Sequence, residues 1–131
     1  MSRLPISLLL CTLLAACASG SLHDQHLARR AADAADAQAL AATAPPAGQP
    51  LAPWLQAQRA RIVSERGAAT RHFEEAEKAC WQRFAVNDCL QQARVQRRTA
   101  LDRLRQQELA INDLERQRQA DARRLEPRNG S

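Results

Sequence analysis

Cys80 and Cys89 are the residues best placed for covalent chemistry, and their separation of nine positions constrains the chain between them. On one unbroken helix their α-carbons would lie about 13.5 Å apart along the axis. A disulfide tolerates at most about 7 Å. The pair can be joined only where the chain reverses, and Ala85-Val86-Asn87-Asp88 supplies such a break, with Asn87 or Asp88 as an N-cap and Asp88-Cys89-Leu90-Gln91 as a variant capping box. In an oxidising compartment the closed loop contributes on the order of 2–3 kcal/mol. A zinc site would need two more ligands, and His72 lies two turns upstream of the pair. Redox-active cysteines usually stand two residues apart. Cys80 and Cys89 therefore read as a structural staple.

The other candidates for chemistry are weaker. His23 and His26 are three apart but have no further ligand nearby. His72 beside Glu74 and Glu75 has the residue types for acid–base work, which also requires a pocket that shifts their pKa values. Ser64 has no evident base or oxyanion donors. No catalytic residue, metal site or cofactor is expected, and the chain does not read as an enzyme.

Cys17 stands at the end of the leading segment. Arg3 and the amino terminus form a positive n-region, and Ile6 to Ala16 an apolar h-region. That stretch is shorter than the roughly 20 apolar residues of a transmembrane helix. Leu14-Ala15-Ala16-Cys17 resembles a bacterial lipobox. The resemblance implies that residues 1–16 are a signal peptide, that the Cys17 thiol takes a diacylglyceryl group, and that the new amine is acylated. One acyl chain gives marginal membrane residence, whereas three hold firmly. The alternative is ordinary secretion, with Ala16-Cys17-Ala18 as a small-x-small cleavage site and a soluble protein starting at Ser19. Cys11 is removed either way. No aspartate follows Cys17 directly, and in lipoproteins with that start export to the outer membrane is usual. The expected location is the outer membrane, lipid-anchored, on its periplasmic face.

Cleavage before Cys17 would leave 115 of the 131 residues, with 18 basic and 14 acidic side chains. Seventeen of those bases are Arg, Lys78 being the exception. An exported address excludes nucleic acid and leaves lipopolysaccharide, anionic phospholipid or cell-wall polymer as polyanions. The aromatics are Trp54, Phe73, Trp81 and Phe84, too few for a base-stacking platform. Alanine supplies most of the apolar fraction and buries little area, so a thick core is not expected.

The chain divides into zones. Residues 17–53 hold the lipidated cysteine and an Ala/Pro-rich stretch with no apolar face, read as a flexible tether reaching about 30–36 Å. From 54 to 126 almost every residue is a good helix former, with Gly67 the interruption. Leu55, Ile62, Ala69, Phe73, Ala76 and Cys80 recur at helical spacing, as do Leu90, Ala93, Leu101, Leu104, Ile111 and Leu114. Arg71/Glu75, Glu74/Lys78 and Arg98/Asp102 stand one turn apart on the expected outer faces. Pro53 suits a first turn, and Pro127 ends the pattern after Arg123 and Arg124. The prediction is all-α: a long, coiled-coil-like antiparallel two-helix hairpin over 54–84 and 88–126, stapled by one disulfide and preceded by a disordered tether. The second helix is the longer, so its end must overhang or pack on the proline segment. Residues 127–131 read as a frayed tail.

The run from Phe73 through Cys80-Trp81-Gln82-Arg83-Phe84 to Cys89-Leu90 resembles a signature of small uncharacterised lipoproteins of Gram-negative bacteria built on a C-x8-C helical hairpin. The likeness continues through Arg97-Arg98 and Ile111-Asn112-Asp113. It implies fold and location, and no activity. Only about sixteen large apolar side chains fall between Trp54 and Leu125, so the seam is expected to pack on a second copy or on a helix of an envelope protein. Trp81 and Phe84 are expected to close the core beside the disulfide, or else to form a small exposed contact surface. The candidate interaction residues are Trp81, Phe84, Leu104, Ile111 and Leu114. The expected function is a structural or protein-interaction module of the envelope. The second reading is an electrostatic binder of anionic envelope polymer through Arg94, Arg97, Arg98 and Arg105.

Overall fold

The structure is a computed structural model and describes residues 22–125. Cys17, the signal segment, Pro127 and the tail lie outside the described residues. Among the described residues three helices follow in order: α1 (Leu22–Ala42), α2 (Ala52–Cys80) and α3 (Val86–Leu125). The all-α class is as expected, and no strand occurs among the described residues. No helix in this range is long and apolar enough to cross a membrane.

Helix α1 corrects the expectation of a disordered tether and of a two-helix chain. Nine of its 21 residues are alanine, the best helix former, and Asp24 in its first turn complements the helix dipole. Two compact units are distinguished, dividing within α1 between Ala32 and Asp33. In the first, residues 22–32 are exposed throughout. In the second, Ala37 is buried and Leu40 packs on the core, anchoring the end of a helix whose alanines alone would be marginal in water.

The connection to α2 is a sequence of turns. Thr43 donates from both its N–H and its hydroxyl to the Leu40 carbonyl, at 3.0 and 2.7 Å. Gln49 N–H donates to Pro46 O at 3.2 Å, and Gly48 supplies the positive φ of 91° at the third position of that turn. Helix α2 then starts at Ala52, two residues before the expected position. Pro53 sits in its first turn, where a missing N–H costs nothing.

Helix α2 ends at Cys80, so the reversal occupies residues 81–85 and comes earlier than expected. Gln82 N–H to Ala79 O (3.3 Å) and Arg83 N–H to Cys80 O (3.0 Å) tighten the chain out of the helix. Helix α3 opens with Cys89 N–H donating to Ala85 O at 3.2 Å. Asn87 and Asp88 therefore lie inside its first turn and are not its caps. Asp88 there still favours the positive end of the dipole. The disulfide Cys80–Cys89 forms across this reversal with α-carbons 5.5 Å apart.

Beyond the disulfide, α2 and α3 lie side by side and antiparallel: Arg66 meets Glu108, and seven residues earlier on α2 Arg59 meets Glu115. Leu55, Ile62, Leu104 and Ile111 form the core cluster, with Leu40, Leu51 and Trp54 packed against it. Cys80, Leu90 and Ala93 are buried near the reversal. The expected apolar stripes are thus the ones that pack, with Ala69, Phe73, Ala76, Leu101 and Leu114 half-buried. The longer α3 does pack on the proline segment, since Arg118 Nη2 donates to Pro45 O at 2.8 Å.

Candidate interaction surfaces

The seam between α2 and α3 carries more polar cross-links than apolar layers, and they recur with a heptad period. Leu55, Ile62, Ala69 and Ala76 occupy one set of positions seven apart on α2, and Arg59, Arg66, Phe73 and Cys80 the other. Every member of the second set reaches α3. Arg59 Nη2 donates to Glu115 Oε2 at 2.5 Å and to Asn112 Oδ1 at 3.2 Å. Arg66 Nη2 donates to Glu108 Oε2 at 2.6 Å. The Arg97 guanidinium stands 4.4 Å from the centroid of the Phe73 ring, a cation–π contact. Cys80 closes the series through its disulfide. On the opposite flank Arg61 bridges Glu65 (2.6 Å) and Gln107 (2.9 Å), and Arg103 approaches Glu65 at 3.9 Å.

These pairs replace the expected ones. Among the described residues Arg71/Glu75, Glu74/Lys78 and Arg98/Asp102 form no ion pair, while Arg116–Asp113 and Arg124–Asp121 pair within α3. Each bridge is partly solvated, so each contributes about 0–1 kcal/mol. Their larger effect is on register, because sliding α2 by one turn would break them together.

The five candidate interaction residues separate into three groups by burial. Leu104 and Ile111 are each 1% exposed and spent in the core, so they cannot serve as an open contact surface. That corrects the expectation; both side chains belong to the core cluster with Leu55 and Ile62. Leu114 is half-buried. Trp81 is 66% exposed and Phe84 fully exposed, which overturns the expectation that they close the core. With α2 ending at Cys80, both aromatics fall in the five-residue reversal, beyond the reach of the helical stripes.

The candidate polyanion contacts are all on the surface. Arg94, Arg98 and Arg105 recur at spacings of four and seven along one flank of α3, over roughly 17 Å. Neither these three nor Arg97 pairs with a carboxylate in any described ion pair. Arg97 points instead over Phe73.

The residues weighed for catalysis do not assemble. Ser64 and His72 are exposed on α2, and His23 and His26 on α1. No group of three or more metal-ligating side chains converges among the described residues. An open cleft lies against α3 at Asp88, Gln91, Gln92, Val95 and Gln96, and holds a single carboxylate among amides. Such a lining offers hydrogen-bond donors and acceptors beside one carboxylate. The heptad of cross-links was missed in the sequence, although Arg59 and Arg66 stand at the same seven-residue spacing from Phe73 and Cys80. No family model, curated protein or solved structure matches this chain.

Proposed function

We propose that this chain is a lipid-anchored lipoprotein of the outer membrane, facing the periplasm, and that it acts as a structural interaction module of the cell envelope. Its leading segment supports the anchor through the Leu14-Ala15-Ala16-Cys17 pattern. The working part is the antiparallel pair α2/α3, a coiled-coil-like hairpin. The observation that carries an interaction role is the exposure of Trp81 and Phe84 on a reversal held by a disulfide. Large aromatics cost a soluble surface little singly, but two on a short stapled loop are the composition of a contact point. A second copy, or a helix of an envelope protein, fits the flanks of a seam too thin to be self-sufficient. Photocrosslinking in intact cells from positions 81 and 84 tests the role. Capture of a discrete species supports it, and capture of nothing above background at both positions counts against it.

A second reading has an observation of its own. Arg94, Arg98 and Arg105 form a row without carboxylate partners, suited to anionic envelope polymer. Binding of that kind weakens steeply as ionic strength rises, whereas helix packing does not. Titration of the protein with lipopolysaccharide at low and high salt separates the two.

A further inference from the structure

We propose that the reversal formed by Trp81, Gln82, Arg83, Phe84 and Ala85 docks into the phospholipid interface of a bilayer. The inference rests on the envelope location proposed above and assigns the occupant of the exposed tip. Three observations converge on lipid. The first is chemical type. Trp81 and Phe84 flank Arg83, the only charge in the loop, and Lys78 lies in the last turn of α2. Aromatic rings at headgroup depth with a cation for the phosphate are the composition that favours a membrane interface. The carboxylates of Glu77 and Asp88 sit back on the helices, outside the loop.

The second is area. The two exposed rings offer on the order of 300–400 Å². A stable protein interface takes about 800 Å² from each partner. A protein partner would have to add the helix flanks to reach that area, whereas lipid asks for no complementary pocket and can be met by the tip alone. The third is placement. The tip lies at the end of the α2/α3 pair remote from the 43–51 connection, and Cys80–Cys89 fixes its shape. Little ordering entropy remains to be lost on insertion.

The chain has two tryptophans, so Trp54→Phe leaves Trp81 as the sole reporter. The full-length Trp54→Phe protein, purified from bacterial envelope with its native N-terminus, is bound to phosphatidylethanolamine/phosphatidylglycerol vesicles. Trp81 emission is then read with and without brominated acyl chains, and vesicle flotation is measured separately. The expected result is a shift of emission to shorter wavelength and loss of most of its intensity to the bromolipid. Adding Phe84→Ser with Arg83→Glu should reverse both, with the helical circular-dichroism signal unchanged. Unshifted, unquenched emission from protein that floats with the vesicles overturns the inference while leaving the anchor intact. Quenching that persists unchanged in the Phe84→Ser/Arg83→Glu variant also overturns it, because the contact would then be passive. Failure to float speaks instead against the lipid anchor, and emission on added vesicles still reads the tip.

Discussion

Arg66 and Glu108 meet at 2.6 Å across the α2/α3 seam, one heptad after Arg59 meets Glu115 and one heptad before Phe73 receives Arg97. The seam is held by a repeating polar stitch as well as by its small core. A double-mutant cycle on Arg66→Ala and Glu108→Ala should give a coupling of about 0.5–1 kcal/mol, from urea midpoints at low salt. The coupling should shrink in high salt, because both partners are more than a third exposed. Zero coupling at low salt would mean the pair adds nothing to register.

The staple should contribute more than any one ion pair. Replacing Cys80 and Cys89 with Ser should lower stability by about 2–3 kcal/mol, as expected for closing a loop of this length. Thermal unfolding with and without reductant provides the check. An unchanged midpoint on reduction would contradict the role assigned to the disulfide.

Leu104, Ile111 and Ile62 should be the costliest single truncations, since all three are almost fully buried in a core with few other large side chains. Leu104→Ala should destabilise by about 2–5 kcal/mol. Trp81→Ser and Phe84→Ser should each stay within about 0.5 kcal/mol of the parent, being exposed. Chemical denaturation of the three variants distinguishes core from surface directly.

Gly67 should be replaceable with benefit. It lies within the continuous α2 helix, and a β-carbon there would meet only Nη1 of Arg71, at 3.2 Å, the mobile end of a long side chain. Gly67→Ala should therefore raise stability by about 0.5–1 kcal/mol. A lower melting temperature would show that Arg71 cannot move aside.

The apolar stripes were legible because helical periodicity is a strong signal: Leu55, Ile62, Cys80, Leu90, Ala93, Leu104 and Ile111 all lie on them and are buried. The disulfide was legible because reach alone demanded a reversal between its cysteines. Helix α1 was not, since its alanines carry propensity without an apolar face, and Leu40 finds its contacts only in the folded chain. The exposure of Trp81 and Phe84 depended on whether α2 ran to residue 80 or 84, and a four-residue difference there decides which way an aromatic points. Arg59 and Arg66 were hidden because a long charged side chain at a seam position looks like a surface residue until its partner is known.

The most direct test of the proposed anchored, stapled protein is intact and peptide mass spectrometry of the chain extracted from bacterial envelopes without reductant. The proposal predicts a mature N-terminus at Cys17 carrying acyl mass, together with a linked peptide joining Cys80 to Cys89. A mature chain beginning at Ser19 with no lipid, or two free thiols at positions 80 and 89, would contradict it.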